Sequence, residues 1–527
     1  MRSLNLEKLL TISIIIGVII SFWIFARFTV DDAFISWRYG KNLVDYGIWN
    51  YSPNILDMTQ AYTNPIYAIL SIVPNYFKID VVLFFKLISI LNMTLFIVYM
   101  IKKTGKYKTV LLFFILPATM IHLFSGLETF LFISLLVVLF ISLNENNFKT
   151  SIFITILLFL TRPETWLFVG LVPFYFLIKN IELDLTNKDI FIKKLFIKKN
   201  INYKEFFISF VFLAFILSIY FLLHKYHFGY ALPNTFYVKS GASFNPISFI
   251  WFAIVAIPLV VVLASKKYQL FTIFTLFFLV LIYSYATSYL QMNYTERFAF
   301  HIFSPLFFIM IYLSNQIEKP IFYISDNKKF DSFFVVKPNL SINIIAISFL
   351  LLFFFKSTNR ETIKLTDYYP RAIDSHAELG KKLNEIKDKY DVNSFSFGDA
   401  GMTAYHSEML ALDNIGLGSS MVGQAKDVND KILDLYNPEI LVFHSRPKEP
   451  RLGDYNQQNI YDWGISKNYK YICEVYWRKD YTLAIYSQNN YKELEEVCNS
   501  SKVANNISSK EYILKSIKKS PFSYWHE

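Results

Sequence analysis

The sequence predicts a polytopic α-helical membrane protein with a soluble α/β domain at its C-terminal end. Of its 527 residues, 54% are hydrophobic and 19% are aromatic, and the mean hydropathy of +0.34 is well above that of soluble domains. Apolar runs long enough to cross a membrane recur up to residue 356, and none follows. We therefore divide the chain into a membrane domain, residues 1–356, and a soluble domain, residues 357–527.

The apolar runs predict about 11 transmembrane helices, because about 20 helical residues cross a hydrocarbon core of roughly 30 Å. The first run has this length. We interpret it as a span and not as a cleaved signal peptide, because no small-residue cleavage site follows it and Asp31 comes almost at once. The predicted spans lie near residues 9–28, 81–101, 109–124, 128–143, 150–161, 165–178, 206–223, 246–264, 270–289, 299–315 and 340–356.

Lysine-rich loops predict the orientation of these spans. The run from Pro65 to Phe77 contains Pro74 and is too short to span, so we interpret it as a helix that dips into the membrane interface. All the lysine-rich loops then fall on the side of Arg2 and Lys8, which is cytoplasmic by the positive-inside rule. They account for the net charge of +11 without a nucleic-acid partner. Their lysines are Lys102, Lys103, Lys106, Lys108, Lys193, Lys194, Lys198, Lys199, Lys204, Lys266, Lys267, Lys319, Lys328, Lys329 and Lys337.

An outer loop, residues 29–65, begins with the adjacent carboxylates Asp31 and Asp32. Carboxylates beside lipid are more often functional than incidental. Asp32 is placed to cap a short helix with an apolar and a polar stripe, the pattern of a helix in the membrane interface. In the alternative interpretation, one aspartate caps the helix and the other is merely hydrated. The stripes are Ile35, Tyr39 and Leu43 on one side and Arg38, Asn42 and Asp45 on the other.

Further polar segments fall on the same outer side of the predicted membrane domain. Each has a simple structural explanation, such as a helix start, a turn or an arginine that reaches the interface. Together they bring acids and bases to one membrane face, as a site for a polar, phosphorylated, lipid-anchored molecule requires. The candidate residues in these segments are Glu128, Arg162, Glu164, Asn234, Lys239 and Arg297.

The soluble domain alternates helix and strand and is predicted to be an α/β module. A helix is expected over 371–390, and strands over 394–397, 440–444, 469–477 and 481–486. The segment Gly398-Asp399-Ala400-Gly401 follows a strand and predicts a tight turn, but it lacks the glycine pattern of a phosphate-binding loop. Cys473 and Cys498 are either a disulfide or two free thiols. No metal-ligand spacing is present.

Six segments together resemble the GT-C membrane glycosyltransferases, and among them the relatives of the mycobacterial terminal β-(1→2)-arabinofuranosyltransferase. The resemblance covers most of the chain in the same order and extends to Gly398-Asp399-Ala400-Gly401 and 412–417 in the soluble domain. It departs from the family at Gln60-Ala61, where Glu-Gly is common, and at Thr165, where Gly is common. The six segments are Asp31 to Tyr39, Tyr62 to Pro65, Gly126 to Thr129, Arg162 to Glu164, Leu232 to Tyr237 and Glu296 to Phe298.

The resemblance implies a polyprenyl-phosphate sugar donor, an acceptor glycan outside the membrane and an aspartate of the first outer loop at the active centre. No nucleotide cofactor is then needed, because the lipid carrier replaces the nucleotide, and the participation of a divalent cation stays open. Sugar transfer needs a base and cations for the departing phosphate. We expect Asp31 or Asp32 to be the base, with Asp31 favoured because Asp32 is the better cap. Phosphate-binding candidates are Arg297, Arg162, Lys239 and Arg38, and residues that orient them or the sugar are Glu128, Glu164 and Asn234.

Two other functions share these features. A transporter or flippase for lipid-linked glycans predicts paired repeats and charges at the middle of the membrane, whereas the polar segments here lie at one face. An O-antigen-type ligase uses a similar lipid donor but transfers whole oligosaccharides. We expect a multi-pass protein of the plasma (cytoplasmic) membrane whose soluble domain is extracytoplasmic and contributes to acceptor recognition.

Overall fold

The computed structural model describes residues 2–179, 203–240, 242–265, 267–290, 292–316, 338–447 and 449–526. Several lysines that entered the orientation argument lie outside the described residues, namely Lys193, Lys194, Lys198, Lys199, Lys266, Lys319, Lys328, Lys329 and Lys337. The first part of the chain is helical. Its helices are α1 (Arg2–Phe25), α2 (Asp32–Tyr46), α3 (Pro65–Leu70), α4 (Ile72–Tyr76), α5 (Val81–Thr104), α6 (Tyr107–Phe113), α7 (Pro117–Phe124), α8 (Thr129–Asn144), α9 (Phe148–Phe159), α10 (Phe168–Ile178), α11 (Tyr203–Phe228), α12 (Asn234–Lys239), α13 (Pro246–Ala256), α14 (Leu259–Ala264), α15 (Tyr268–Ala286), α16 (Arg297–Leu313) and α17 (Pro338–Ser357).

The described residues contain six helical segments long and apolar enough to cross a membrane, or up to eight if each of two bent helix pairs is one span. The bent pairs are α6 with α7, at 71°, and Ile342–Ser357 with Arg360–Tyr390, at 67°. Three more apolar helices are shorter, Thr129–Asn144, Phe148–Phe159 and Pro163–Ile178. This is the architecture of a helical protein embedded in a membrane. The six long segments are Leu6–Phe25, Val81–Thr104, Tyr203–Phe228, Pro246–Leu263, Tyr268–Ala286 and Tyr294–Leu313.

The segment from Pro65 to Phe77 forms the two short helices α3 and α4, and it is not among the candidate spans. Proline at the first position of α3 suits a helix start. Ser71 joins the two helices, and its hydroxyl donates to Ala68 O at 2.7 Å. The segment therefore has the two short helices expected of a dip, rather than one helix of membrane-spanning length.

The second part of the chain is a mixed sheet with helices packed on it. Strands β1, β2 and β3 are parallel, with β1 between the other two. Strands β6 and β5 continue the sheet beside β3 in antiparallel pairing, so the order is β2-β1-β3-β6-β5. The short β4 pairs with β3. The elements of this second part are α18 (Arg360–Lys364), α19 (Tyr368–Ala372), α20 (Glu378–Tyr390), β1 (Ser394–Phe397), α21 (Met402–Ser407), β2 (Leu410–Asp413), α22 (Ser420–Ala425), α23 (Asp430–Tyr436), β3 (Ile440–Arg446), β4 (Glu449–Pro450), α24 (Gln457–Ser466), β5 (Lys470–Arg478), β6 (Tyr481–Ser487), α25 (Lys492–Asn505) and α26 (Ser509–Lys518).

The four strands predicted from sequence are present, whereas β2 and β4 were not predicted. The helix expected over 371–390 is present too, but it is interrupted by a π-helical turn, Ile373–Ala377, between α19 and α20. Cys473 of β5 and Cys498 of α25 form a disulfide. This decides between the two alternatives that the sequence left open for the cysteines.

Helix α2, predicted to lie in the membrane interface, is largely covered by other parts of the protein. Its residues 33–40 and Asn42 are buried, including the predicted polar residue Arg38. One side of α2 packs against α3 and α4, and another packs against α21 of the soluble domain. Within the polar stripe, Arg38 donates to the soluble domain and Asn42 donates to carbonyls of the outer loop, while Asp45 is exposed. A local periodicity cannot reveal such contacts.

A buried lysine fixes the segment that carries the aspartate pair. Lys86, in the second turn of α5, donates hydrogen bonds to Ala26 O at 2.9 Å and to the carbonyls of Phe28 and Phe124. The carbonyls of Ala26 and Phe28 come just after the C-terminal end of α1, and that of Phe124 belongs to the last residue of α7. At such helix ends, carbonyls without a partner in the helix and the helix dipole both favour a cation. Val30 N also donates to Ser125 O at 3.0 Å. The chain just before Asp31 is thereby held in one position.

Candidate active site

Four of the predicted outer segments meet in one hydrogen-bond network. Ser36 Oγ donates to Asn64 Oδ1 at 2.6 Å, and Asn64 Nδ2 donates to Glu128 Oε2 at 2.8 Å. Arg162 then joins the two acids, with NH1 2.8 Å from Glu128 Oε1 and NH2 2.8 Å from Glu164 Oε1. The network therefore brings together segments that lie more than a hundred residues apart in the chain, as the sequence predicted for their outer ends.

We call Glu128, Arg162 and Glu164 the paired cluster. The Arg162 guanidinium has a carboxylate on two sides, and the Glu128 and Arg162 side chains are only 3% and 7% exposed. A buried charge is tolerated when it is paired and hydrogen-bonded in this way. Arg162 therefore has its donors engaged within the protein, and the paired cluster is suited to hold the surrounding loops in place.

A second group of charges, Asp32, Lys239 and Arg297, is arranged differently, and we call it the open trio. Among the described residues, none of these three side chains has a hydrogen bond or an ion pair. Lys239 and Arg297 nevertheless lie close enough to act electrostatically on the Asp32 carboxyl. Burial raises the pKa of Asp32, the two cations lower it, and the carboxylates of Asp399 and Glu128 raise it further, with a net increase. The open trio therefore differs from the paired cluster, because its charges have no hydrogen bonds or ion pairs among the described residues.

A strained turn precedes Arg297. Thr295 and Glu296 have φ values of 46° and 60°, in the left-handed region that β-branched residues such as threonine rarely adopt. The turn is held by Thr295 Oγ1, 3.1 Å from His122 Nε2, and by Trp251 Nε1, which donates to Glu296 at 3.1 Å. The Arg297 Nε is buried without a partner. Strain of this kind collects at functional sites, where the surrounding structure enforces one orientation.

Asp31 faces away from the open trio and into the soluble domain. Its carboxylate accepts hydrogen bonds from Gly401 N at 2.9 Å and Met402 N at 2.7 Å, at the start of α21. A Cβ at Gly401 would lie 2.0 Å from Asp31 O, so only glycine permits this approach. Burial raises the pKa of Asp31 to about 7, with a further contribution from Asp399.

The sequence predicted Asp32 as the cap of α2, but neither aspartate has a side-chain cap bond to this helix. Asp32 is the first residue of α2 and caps nothing, while Asp31 occupies the N-cap position without a side-chain cap bond to α2. Asp31 instead accepts hydrogen bonds at the N-terminus of another helix, α21, where the helix dipole favours an anion. Asp32 accepts no hydrogen bond from the described residues.

Arg38 and Asn234 were predicted to contact substrate, but the structure places both in the interface between the two parts of the chain. Arg38 NH2 donates to Met409 O at 2.6 Å, and its guanidinium lies 4.6 Å from the Tyr51 ring centre. Asn234 Nδ2 donates to Leu417 O at 2.9 Å and to Gly416 O. These side chains fasten the outer segments to the soluble domain.

Asp57 was not singled out from sequence, although it lies in the outer loop. It is buried and accepts hydrogen bonds from the hydroxyls of Ser420 and Tyr436. Nearby, Ser420 N donates to Thr59 Oγ1 at 2.9 Å. The middle of the loop is thereby docked on α22 and α23. No local pattern signals such contacts, because the partners lie more than 350 residues away in the chain.

A second acidic centre, Asp399, was also missed. Its Oδ2 lies 3.0 Å from His376 Nε2 and accepts a hydrogen bond from Tyr481 OH at 3.2 Å. Burial alone would raise the pKa of Asp399, but the neighbouring His444 and His376 lower it below its ordinary value. Asp399 also acts electrostatically on Asp31 and Asp32. The only sequence signal was the family resemblance of the turn that contains it.

The described part of the chain contains no group of three or more His, Cys, Asp or Glu that could hold a metal ion. A cavity of about 300 Å³ opens beside the strained turn, lined by Tyr294, Thr295 and residues of α18. Another, of about 430 Å³, lies between Tyr46 and the soluble domain. Asp32 lines neither cavity.

Comparison with models of known protein families, with curated proteins and with solved structures found no match.

Proposed function

We propose that the chain is a GT-C type membrane glycosyltransferase with about 11 transmembrane helices. It moves a single sugar from a polyprenyl-phosphate donor to a cell-envelope glycan or glycoconjugate on the outer face of the plasma membrane. The observation that carries the proposal is the open trio, in which a carboxylate and two cations lie near one another with no partners among the described residues. The three side chains are half-buried, and the buried Arg297 Nε has no hydrogen-bond partner among the described residues. A substrate with a hydroxyl and a phosphate would supply partners for such groups.

The open trio suits the chemistry of sugar transfer. Asp32 takes the proton from the acceptor hydroxyl while the acceptor oxygen forms its bond to the anomeric carbon. The bond from that carbon to the phosphate oxygen breaks, and its electron pair leaves with the polyprenyl phosphate. Lys239 and Arg297 neutralise the charge that develops on this leaving group. The raised pKa of Asp32 makes it a stronger base than an ordinary aspartate while it remains ionised.

Two further features support an outer-face site. The disulfide between Cys473 and Cys498 suits an oxidising compartment. Its domain makes close contacts with the outer loop through Asp31 and Asp57 and with α12 through Asn234, which supports placing these segments and the domain on the same side of the membrane. A transporter or flippase would need charges at the middle of the membrane, whereas the two charge groups here lie at helix ends or on short segments that join helices.

The test is a transfer assay with sealed, right-side-out membrane vesicles that contain the protein. Radiolabelled polyprenyl-phosphate hexoses and pentoses are placed in the bilayer, and membrane-impermeant glycans are added outside. We expect label to move from one of the lipids to an external glycan. Movement of a whole oligosaccharide from a polyprenyl-diphosphate donor alone would identify a ligase. Movement of the lipid across the bilayer without transfer would identify a flippase.

A further inference from the structure

Asp399 lies near buried polar atoms that have no hydrogen-bond partner among the described residues. His444 Nε2 lies 3.2 Å from Asp399 Oδ2, whereas the Nδ1 of the same ring has no partner. His444 is only 1% exposed. The Trp477 Nε1 and one terminal nitrogen of Arg478 are also buried without partners. Unsatisfied donors are rare in folded proteins, and several around one carboxylate indicate a place for a polar ligand.

Aromatic rings form a continuous band around the same carboxylate. Tyr455 lies 5.2 Å from the His444 ring, and Tyr481 lies 5.4 Å from it on another side. Trp477 packs 5.0 Å from Tyr481 and 5.0 Å from Tyr368. Tyr455 is 44% exposed, so the band reaches the protein surface. Aromatic faces supply flat apolar contacts, and their hydroxyl and indole groups supply hydrogen bonds at the rim.

We propose that this band and Asp399, which we call the aromatic subsite, bind the acceptor glycan. A sugar presents apolar C–H faces to the rings and hydroxyl groups to Asp399, His444 and the Trp477 indole. No other common ligand class combines flat apolar faces with a ring of hydroxyl donors in this way. The inference rests on the proposed function, since it names the acceptor as a glycan and assigns it to the soluble domain.

The aromatic subsite lies on the side of the soluble domain that faces the open trio. Asp399 acts electrostatically on Asp32, and its own turn is joined to the outer loop through the bonds from Gly401 and Met402 to Asp31. Tyr368 of the band packs 5.6 Å from Tyr294, next to the strained turn that precedes Arg297. A glycan bound along the band would therefore present a hydroxyl toward Asp32.

The experiment measures acceptor and donor KM separately. The full-length protein in detergent is given the polyprenyl-phosphate sugar that the wild type uses, with octyl glycosides of glucose, galactose, mannose and arabinofuranose as acceptors. Asp399→Asn removes the charge that accepts hydrogen bonds from acceptor hydroxyls, and Tyr455→Ala removes a ring that is 44% exposed. The matched controls are Asp388→Asn, an exposed helix residue, and Tyr390→Ala, whose ring is 42% exposed elsewhere in the domain.

We expect acceptor KM to rise about tenfold to a hundredfold for Asp399→Asn, as for loss of a charged hydrogen bond, and by a smaller factor for Tyr455→Ala. The donor KM of these two variants should stay near that of the wild type, and neither control should change the acceptor KM. Unchanged acceptor KM in a folded Tyr455→Ala and Asp399→Asn overturns the aromatic subsite. So does a wild type that hydrolyses its donor but glycosylates none of the four acceptors. A wild type that neither hydrolyses nor transfers any donor sugar contradicts the proposed function itself.

Discussion

The paired cluster and the open trio contain the same kinds of side chain but differ in how their charges are satisfied. In the paired cluster, Arg162 joins Glu128 and Glu164 at 2.8 Å, and both acids have direct partners. In the open trio, Asp32 has two cations nearby and no direct partner among the described residues. Both groups lie on the segments that the sequence placed at one face.

From this difference we infer that the paired cluster has a structural role and that the open trio binds substrate. Removing charge from water costs free energy that direct partners must offset, and the paired cluster meets this requirement within the protein. The open trio is half-buried and has no hydrogen-bond or ion-pair partners among the described residues. Its member Arg297 also follows a strained turn, which costs free energy. We propose that a ligand completes this arrangement. We therefore expect changes in the paired cluster to alter stability and changes in the open trio to alter turnover.

The largest effect is expected for Arg162→Met. It leaves Glu128 and Glu164 buried without their cation, which typically destabilises a protein by about 3–5 kcal/mol. Thermal unfolding in detergent measures the change. The control is Lys103→Met, which breaks a more exposed ion pair with Glu145 at 2.6 Å and should cost about 1 kcal/mol or less. Equal small losses for both variants would mean that the paired cluster is not a scaffold.

Arg297→Gln should lower kcat/KM by about tenfold to a hundredfold, because it removes charged hydrogen bonds to the leaving phosphate. Arg297→Lys keeps the charge but loses the forked geometry, so its rate should lie between those of Arg297→Gln and the wild type. Unfolding temperatures should stay near that of the wild type, since Arg297 has no hydrogen bond or ion pair to lose among the described residues. Arg360→Gln, at an exposed position of α18, is the control. Wild-type kinetics for Arg297→Gln would remove this arginine from the site.

A smaller effect is expected on the pH profile of Lys239→Met. Asp32 must be ionised to act as a base, so activity is lost as pH falls through its pKa. The Lys239 cation lowers this pKa, and its removal raises it. The acid limb of kcat/KM should therefore move to higher pH in the variant. An acid limb that stays in place, or moves to lower pH, would show that Lys239 does not act on the base.

Much of the fold could be predicted from local sequence. Every apolar run predicted as a span is helical in the structure, and four strands of the sheet were placed within about two residues. The length of a hydrophobic run and the alternation of its residues are local properties. They can therefore be read from the sequence without knowing which element packs against the segment. The β2 strand was missed because its short sequence, Leu410–Asp413, lies between two helices and shows no alternation that distinguishes it.

The position of the Asp31 carboxylate could not be predicted. It depends on Gly401 N and Met402 N, which lie 370 and 371 residues from Asp31 in the chain. The sequence also assigned Arg38 and Asn234 to the substrate because their residue types suit phosphate and sugar. In the structure, Arg38 NH2 and Asn234 Nδ2 donate to backbone carbonyls of the soluble domain. Contacts between domains decide which polar side chains remain free, and no local pattern encodes them.

The most direct measurement compares Asp32→Asn with Asp31→Asn in the transfer assay and in thermal unfolding. Asp32→Asn should lower the transfer rate by roughly 10²- to 10⁴-fold, as for loss of a general base, with little change in unfolding temperature. Asp31→Asn should lower stability by about 1–3 kcal/mol, because it weakens two buried hydrogen bonds, while the folded fraction transfers sugar at a rate much closer to wild type. If Asp32→Asn transfers sugar at the wild-type rate and Asp31→Asn abolishes transfer while remaining stable, the account of the open trio is contradicted.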